Sequence, residues 1–175
     1  MYKNLFLFGL LLFALPFLSH GQTINTAESK VTFKVSNMAF RTVDGSFTGM
    51  NGTVDFTTAD LSNSNFEVCV DANTVNTDNK KRDDHLRKDD FFHVEKYPTI
   101  CFQSQEIKQS DTGFTTKGAL TMHGVSKEVE IPFTFENNQF TGQLTVDRLD
   151  YKVGEGTGGF MVGKEIEITI ICVVE

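Results

Sequence analysis

The chain has 175 residues, 39% of them hydrophobic, with 17 Phe and no Trp, which is enough apolar material for one sizeable core. Its 23 Asp and Glu against 16 Lys and Arg leave a net charge of −7, which argues against nucleic acid and against anionic membrane surfaces as partners. Its 3 Cys show no C-x-x-C spacing, and this argues against a zinc site.

The chain begins with Lys3, an apolar run from Leu5 to Leu18, and small residues at Ser19 and Gly21. That layout predicts a secretory signal peptide over residues 1–21, cut before Gln22. The apolar run is shorter than the roughly 20 residues a spanning helix needs. A periplasmic or secreted protein with no stable membrane insertion is therefore expected. Residues 22–175 contain no repeat, low-complexity tract or linker, so they read as one domain.

Period-two segments then follow one another. Val31, Phe33 and Val35 alternate with Thr32, Lys34 and Ser36. Gly49 and Gly52 look like turn or bulge positions before Val54 and Phe56. Phe66, Val68 and Val70 form the next apolar face, and Ile100 and Phe102 the one after a charged insert. Phe114, Thr116, Gly118, Leu120 and Met122 share a face. Val129, Ile131, Phe133 and Phe135 lead to a tight turn at Asn137-Asn138, then to Phe140, Gly142, Leu144 and Val146. The last strand carries Ile166, Ile168 and Ile170, with Cys172 in step as a core residue. One apolar and one wet face per strand is the antiparallel pattern. Eight or nine such strands joined by short turns predict an up-and-down barrel or a sandwich. Gly52, Gly118 and Gly142 on the presumed inner face suit either a cavity or bulges. Cys69 and Cys101 both fall on polar faces, where they can meet across neighbouring antiparallel strands; three structural thiols is the other reading.

The insert, Arg82 to Phe92, breaks the two-residue rhythm. Thr77 or Asp78 can cap a short helix ending at Leu86 or Arg87. Lys80 with Asp84, and Asp83 with Arg87, are spaced to pair. Asp89 or Asp90 can cap a second turn. Leu86 is the one strong apolar residue on this helix, so Leu86, Phe91, Phe92 and Tyr97 are expected to pin the insert over one end of the barrel. Asp83 and His85 lie two apart, on different sides of a helix. No nucleophile elbow or phosphate loop is present, and His85, His93 and His123 are scattered. No catalytic residue, metal or cofactor is expected. Arg82, His85 and Arg87 read either as a polar collar near a ligand head group or as salt-bridged residues that fix the helix.

The pattern Arg82-Asp83-x-His85-Leu86-Arg87-x-x-Asp90-Phe91-Phe92 followed by Tyr97-Pro98-Thr99 resembles the signature of YceI-like proteins. Gly45-Ser46-Phe47, Asp71-Ala72-Asn73, the stretch Gly118 to Lys127, Asp147-Arg148-Leu149-Asp150-Tyr151 and the Glu-Ile-Glu-Ile ending agree in order. Asn73 and the glycine-rich Gly154 to Gly159 depart from it. The resemblance implies an extended, lipocalin-like antiparallel β-barrel with a helix beside it near residues 77–92. It also implies an exported protein holding a polyisoprenoid, quinone or fatty acyl compound in the barrel. By parity, the wall would include Phe33, Val35, Phe47, Phe56, Phe66, Val68, Val70, Ile100, Phe102, Leu120, Met122, Ile131, Phe133, Leu144, Val146, Ile166 and Ile168. A protein-interaction or stress-protective module with a barrel filled by its own Phe residues is the competing reading, and a lipid-modifying enzyme ranks third. The oligomeric state stays open, with a homodimer as one option.

Overall fold

The structure is a computed structural model that describes residues 21–37, 41–157 and 161–175. The expected signal peptide lies outside the described residues apart from Gly21. Nine strands among the described residues form one antiparallel sheet: β1 (Lys30–Asn37), β2 (Arg41–Phe47), β3 (Asn51–Asp55), β4 (Asn65–Asp71), β5 (Thr99–Ser110), β6 (Gly113–Met122), β7 (Val125–Glu136), β8 (Gln139–Asp147) and β9 (Val162–Val173). One short helix, α1 (Lys80–Leu86), lies in the β4–β5 connection. No helix among the described residues is long and apolar enough to cross a membrane.

The spatial order is β2-β1-β9-β8-β7-β6-β5-β4-β3, and the sheet curls into a half-barrel. Its two edge strands, β2 and β3, are consecutive in sequence and run in the same direction. They are two legs of one chain path: the first leg pairs with β1 and the second with β4. The link, Thr48 to Met50, is held by β4 and the turn after it. The Asp71 N–H donates to the Thr48 carbonyl (3.1 Å), and the Thr48 N–H donates to Thr74 Oγ1 (2.8 Å). Ser46 and Asn76 exchange backbone bonds (2.9 and 3.0 Å) on the free side of β2.

Side chains alternate faces with period two, so an inserted residue reverses the sense of everything after it. In β5 the register shifts between Ser104 and Glu106, leaving Gln105 as the extra residue. Ile107, which uninterrupted alternation from Ile100 and Phe102 would turn outward, is therefore buried, at 6% exposure. The glycine question resolves both ways. Gly52 has φ +131°, and a Cβ there would meet the Glu67 carbonyl at 2.0 Å, so it serves backbone geometry. A Cβ at Gly118, opposite the β5 register shift, would meet the Gln103 carbonyl at 2.2 Å and the Phe102 ring at 2.8 Å, so this glycine serves the backbone there and makes room for an inward ring as well.

The antiparallel alternation gives the half-barrel two ends. The β5–β6 and β7–β8 turns lie at one, and six Phe rings pack there. Phe56 is the hub, with ring centroids 5.1 to 5.9 Å from Phe66, Phe114, Phe133, Phe135 and Phe140. Four of these five contacts are edge-on, the arrangement aromatic quadrupoles favour. The other end holds the β4–β5 insert, the β6–β7 turn and the β8–β9 loop. The Cys69–Cys101 disulfide joins directly opposed residues of β4 and β5, with Cα atoms 4.0 Å apart. It sits just below the roots of the insert, whose last flanking strand pair is Asp71 with Thr99.

The insert differs from expectation in its local bonds. Asn79, not Thr77 or Asp78, caps α1, its side chain accepting from the Arg82 N–H (3.1 Å). Thr77 is engaged elsewhere: buried Asp83 accepts from the Thr77 N–H (2.9 Å) and from its hydroxyl. Asp83 therefore does not pair with Arg87. Lys80 does pair with Asp84 (2.9 Å), and that hydrogen bond holds the Asp84 carboxyl below the usual range. Asp89 and Asp90 lie in turns, and no second helical turn forms after α1.

Candidate functional site

Inside the half-barrel lies a cavity of about 210 Å³. It runs from the insert to the Phe cluster. Every wall residue named from parity lines it except Phe56. Phe56 follows the end of β3, and its ring sits behind Phe66, Phe133 and Phe140, which form the floor. Residues that parity did not name also contribute. Val31, Met50, Val54, Ile170 and Cys172 extend the strand faces, and Leu86, Phe91 and Phe92 come down from the insert. Burial pushes the Cys172 thiol up to about 11, so it stays protonated at neutral pH. The volume falls below the roughly 300–1,000 Å³ of drug-sized sites, a size that suits one slender chain.

Arg148 is the residue sequence reasoning missed. It follows β8, is 3% exposed and lines the cavity. Its five N–H groups meet five backbone carbonyls. Nε donates to Gly163 (2.9 Å), Nη1 to Val153 (2.7 Å) and Gly154 (2.6 Å), and Nη2 to Thr157 (3.0 Å) and Val162 (3.1 Å). Burial lowers its pKa, with Asp147 acting against the shift. The guanidinium is thus a fastener for the β8–β9 loop with no donor left over. The Gly154 N–H in turn donates to the Asp90 carbonyl (2.9 Å), tying loop to insert. The sequence carried one signal of this: an Arg just after a strand, followed by a glycine-rich loop whose carbonyls need donors.

The structure places Arg82, His85 and Arg87 outside the cavity lining. Arg82 donates to Thr77 Oγ1 and to the Thr77 carbonyl, both at 2.7 Å. Arg87 donates to the carbonyls of Asn73 and Val75, both at 2.8 Å. His85 Nε2 lies 2.6 Å from Asp90 Oδ2, with its ring edge-on to Phe91. The three residues brace the loop that carries Leu86, Phe91 and Phe92. Tyr97 anchors the far side of the insert, against Gly124 and the His123 ring.

The lining holds no polar group in want of a partner among the described residues. Thr116 Oγ1 donates to the Glu106 carbonyl (3.1 Å), and Arg148 is saturated. The buried side-chain atom left without a partner, Gln22 Oε1, lies elsewhere. No group of three or more His, Cys, Asp or Glu among the described residues can hold a metal ion. A second hollow, on the outer face of β1, β2, β8 and β9, mixes Lys30 and Lys34 with Asp44 and Glu167 and so presents no single sign of charge.

The family model for the YceI-like domain matches residues 22–174. A UPF0312 protein of Yersinia enterocolitica is 31% identical over 139 residues, 79% of this chain and 70% of the relative. The crystal structure of Burkholderia cenocepacia BcnA superposes with a TM-score of 0.79 at 25% identity, covering 87% of this chain and 99% of that one. A domain from Saccharophagus degradans, described as polyisoprenoid-binding and implicated in plant cell wall breakdown, shares the fold. Its TM-score is 0.67 at 15% identity, over 88% of this chain and 97% of that one.

Proposed function

The chain belongs to the YceI-like domain family, and from that premise we propose that it is an exported protein holding a polyisoprenoid or similar long-chain amphiphile, such as a quinone or fatty acyl compound. It acts as carrier or reservoir and not as an enzyme. The observation that carries this reading is the unbroken apolar lining from insert to Phe cluster. Each methylene buried there contributes about 0.8 kcal/mol. Ten of them come to roughly 8 kcal/mol of gross transfer free energy, against which the cost of immobilising the chain is set, so burial alone can sustain binding without any polar contact. The polyisoprenoid-binding domain of Saccharophagus degradans, built on the same fold, supports the ligand class. The disulfide and the apolar N-terminal run support export, since such bonds persist in oxidising compartments.

The filled-barrel reading describes one end well, but the cavity above the Phe cluster leaves room for a chain. The test is titration with a fluorescent conjugated-polyene fatty acid, followed by displacement with prenyl alcohols and quinones. Saturable binding of one chain per protein is expected. Absence of saturable binding across the series would defeat the proposal.

A further inference from the structure

We propose that the hydrocarbon chain enters and leaves the cavity sideways, through the seam between β7 and β8, and not through either end. The proposal rests on the lipid-holding reading above. Its basis is the uneven bonding of the wall. The β7–β8 ladder contains only the four pairs from Phe133↔Gly142 to Glu136↔Gln139. On its other side β7 is paired with β6 from Phe133 to Val125 without interruption, and β8 is paired with β9 along its whole length. Toward the insert, then, Val125 to Pro132 of β7 and Gln143 to Asp147 of β8 face each other with no ladder between them. The cause is legible in the sequence. Pro132 has no N–H to donate, and the ladder to β8 stops at its neighbour Phe133.

The seam lies directly over the cavity. Ile131 borders it from β7, Leu144 and Val146 border it from β8, and all three line the cavity. Val129 packs against the same cluster as Val146. Across the top run an exposed ion pair, Lys127 to Asp150 (3.3 Å), of the kind that contributes little, and one hydrogen bond between His123 Nδ1 and the Tyr151 carbonyl (3.2 Å). Every other route among the described residues is more strongly held. The Phe cluster blocks one end. At the other, Phe91 and Phe92 are fixed by the insert's own bonds, by Gly154 on the Asp90 carbonyl, by the five bonds of Arg148 and by the disulfide at the insert's roots. The edge between β2 and β3 is a continuous chain path stitched to β4. Parting side chains at the seam breaks apolar contacts, one surface ion pair and at most the His123–Tyr151 hydrogen bond at its top, but no ladder hydrogen bond.

Extending the β7–β8 register places Glu130 opposite Thr145 on the outer face of the seam. The test uses the double variant Glu130→Cys with Thr145→Cys, at two exposed positions outside the cavity lining, loaded with a fluorescent polyene fatty acid and then joined by the short bis-alkylating reagent dibromobimane. Cys172 is buried and protonated at neutral pH, and Cys69 and Cys101 are bonded to each other, so labelling falls on the new pair. Joining the seam is expected to slow ligand release by about tenfold or more, because passage through it limits exchange. The unjoined variant should release ligand like the wild type, and Lys127→Ala should release it faster. Release from the joined protein at the wild-type rate would overturn the seam as the route while leaving lipid binding intact. Failure of the wild-type protein to load at all would instead defeat the lipid-holding reading, and the seam proposal with it.

Discussion

The two ends of the half-barrel are built on opposite principles. At the Phe end, six rings fill the space and hold one another through shape and edge-on contacts, and the backbone turns around them are short. At the insert end, few apolar side chains reach inward. They are positioned by polar groups outside the cavity lining, Asp83 on Thr77, Arg87 on Asn73 and Val75 and His85 on Asp90, and by Arg148, which borders the cavity but spends its donors on five carbonyls. The contrast teaches that volume is removed by packing at one end and kept open by bracing at the other. A braced end can hold a hollow because its rigidity does not depend on filling the space it encloses.

The largest expected effect falls on the braced end. Arg148→Met leaves five buried carbonyls without their donor, and each unsatisfied group is costly, so a loss of about 5 kcal/mol or more is expected in urea unfolding. A loss near 1 kcal/mol would mean that the loop rearranges and the fastener is dispensable. Phe56→Ala removes the hub of the packed end and should cost about 4 kcal/mol. Since Phe56 lies behind the floor, the variant should still bind a chain, and the enlarged hollow should accept a longer one. Loss of binding in a folded Phe56→Ala protein would erase the distinction between the ends.

The disulfide comes next. It closes a loop with a sequence separation of 32, for which loop entropy gives about 3.5 kcal/mol. Cys69→Ser with Cys101→Ser should lower stability by that order and raise hydrogen exchange in the insert more than in the Phe end. Equal exchange changes at both ends would argue against a local brace. The smallest effect is a difference between two enlargements. Ile107→Phe overfills the packed region and should cost about 2 kcal/mol, whereas Leu144→Phe grows into the cavity and should cost less than about 1 kcal/mol while abolishing chain binding. Equal costs in the two variants would mean that the cavity wall is packed as tightly as the Phe end.

Much of this was legible in the sequence, for a physical reason. A half-buried strand must alternate, and the inward residues from Phe33 to Ile168 could be read off one by one. The facing positions of Cys69 and Cys101 followed from the same rule, though alternation alone left their bonding open. What escaped was non-periodic. Gln105 inserts one residue into β5 and carries Ile107 inward. Phe56 obeys parity but falls beyond the end of its strand. Asn79 takes the cap because Thr77 is held by Asp83 and Arg82, a choice that depends on tertiary partners. Arg148 could be quoted as part of a family pattern but not as a buried fastener, because its partners are backbone carbonyls, and the glycine-rich loop after it does not say which of them it binds. The brief β7–β8 ladder was signalled by Pro132, yet pairing partners had to be known before that proline could be seen to end anything.

The central claim is that the hollow above the Phe cluster holds a single apolar chain. Native mass spectrometry of the protein purified without detergent, and again after incubation with a prenyl alcohol or quinone, tests it most directly. One adduct of lipid mass per chain is expected, present in the wild-type protein and absent in Leu144→Phe. A wild-type spectrum showing bare protein under both conditions, or adducts that persist unchanged in Leu144→Phe, would contradict it.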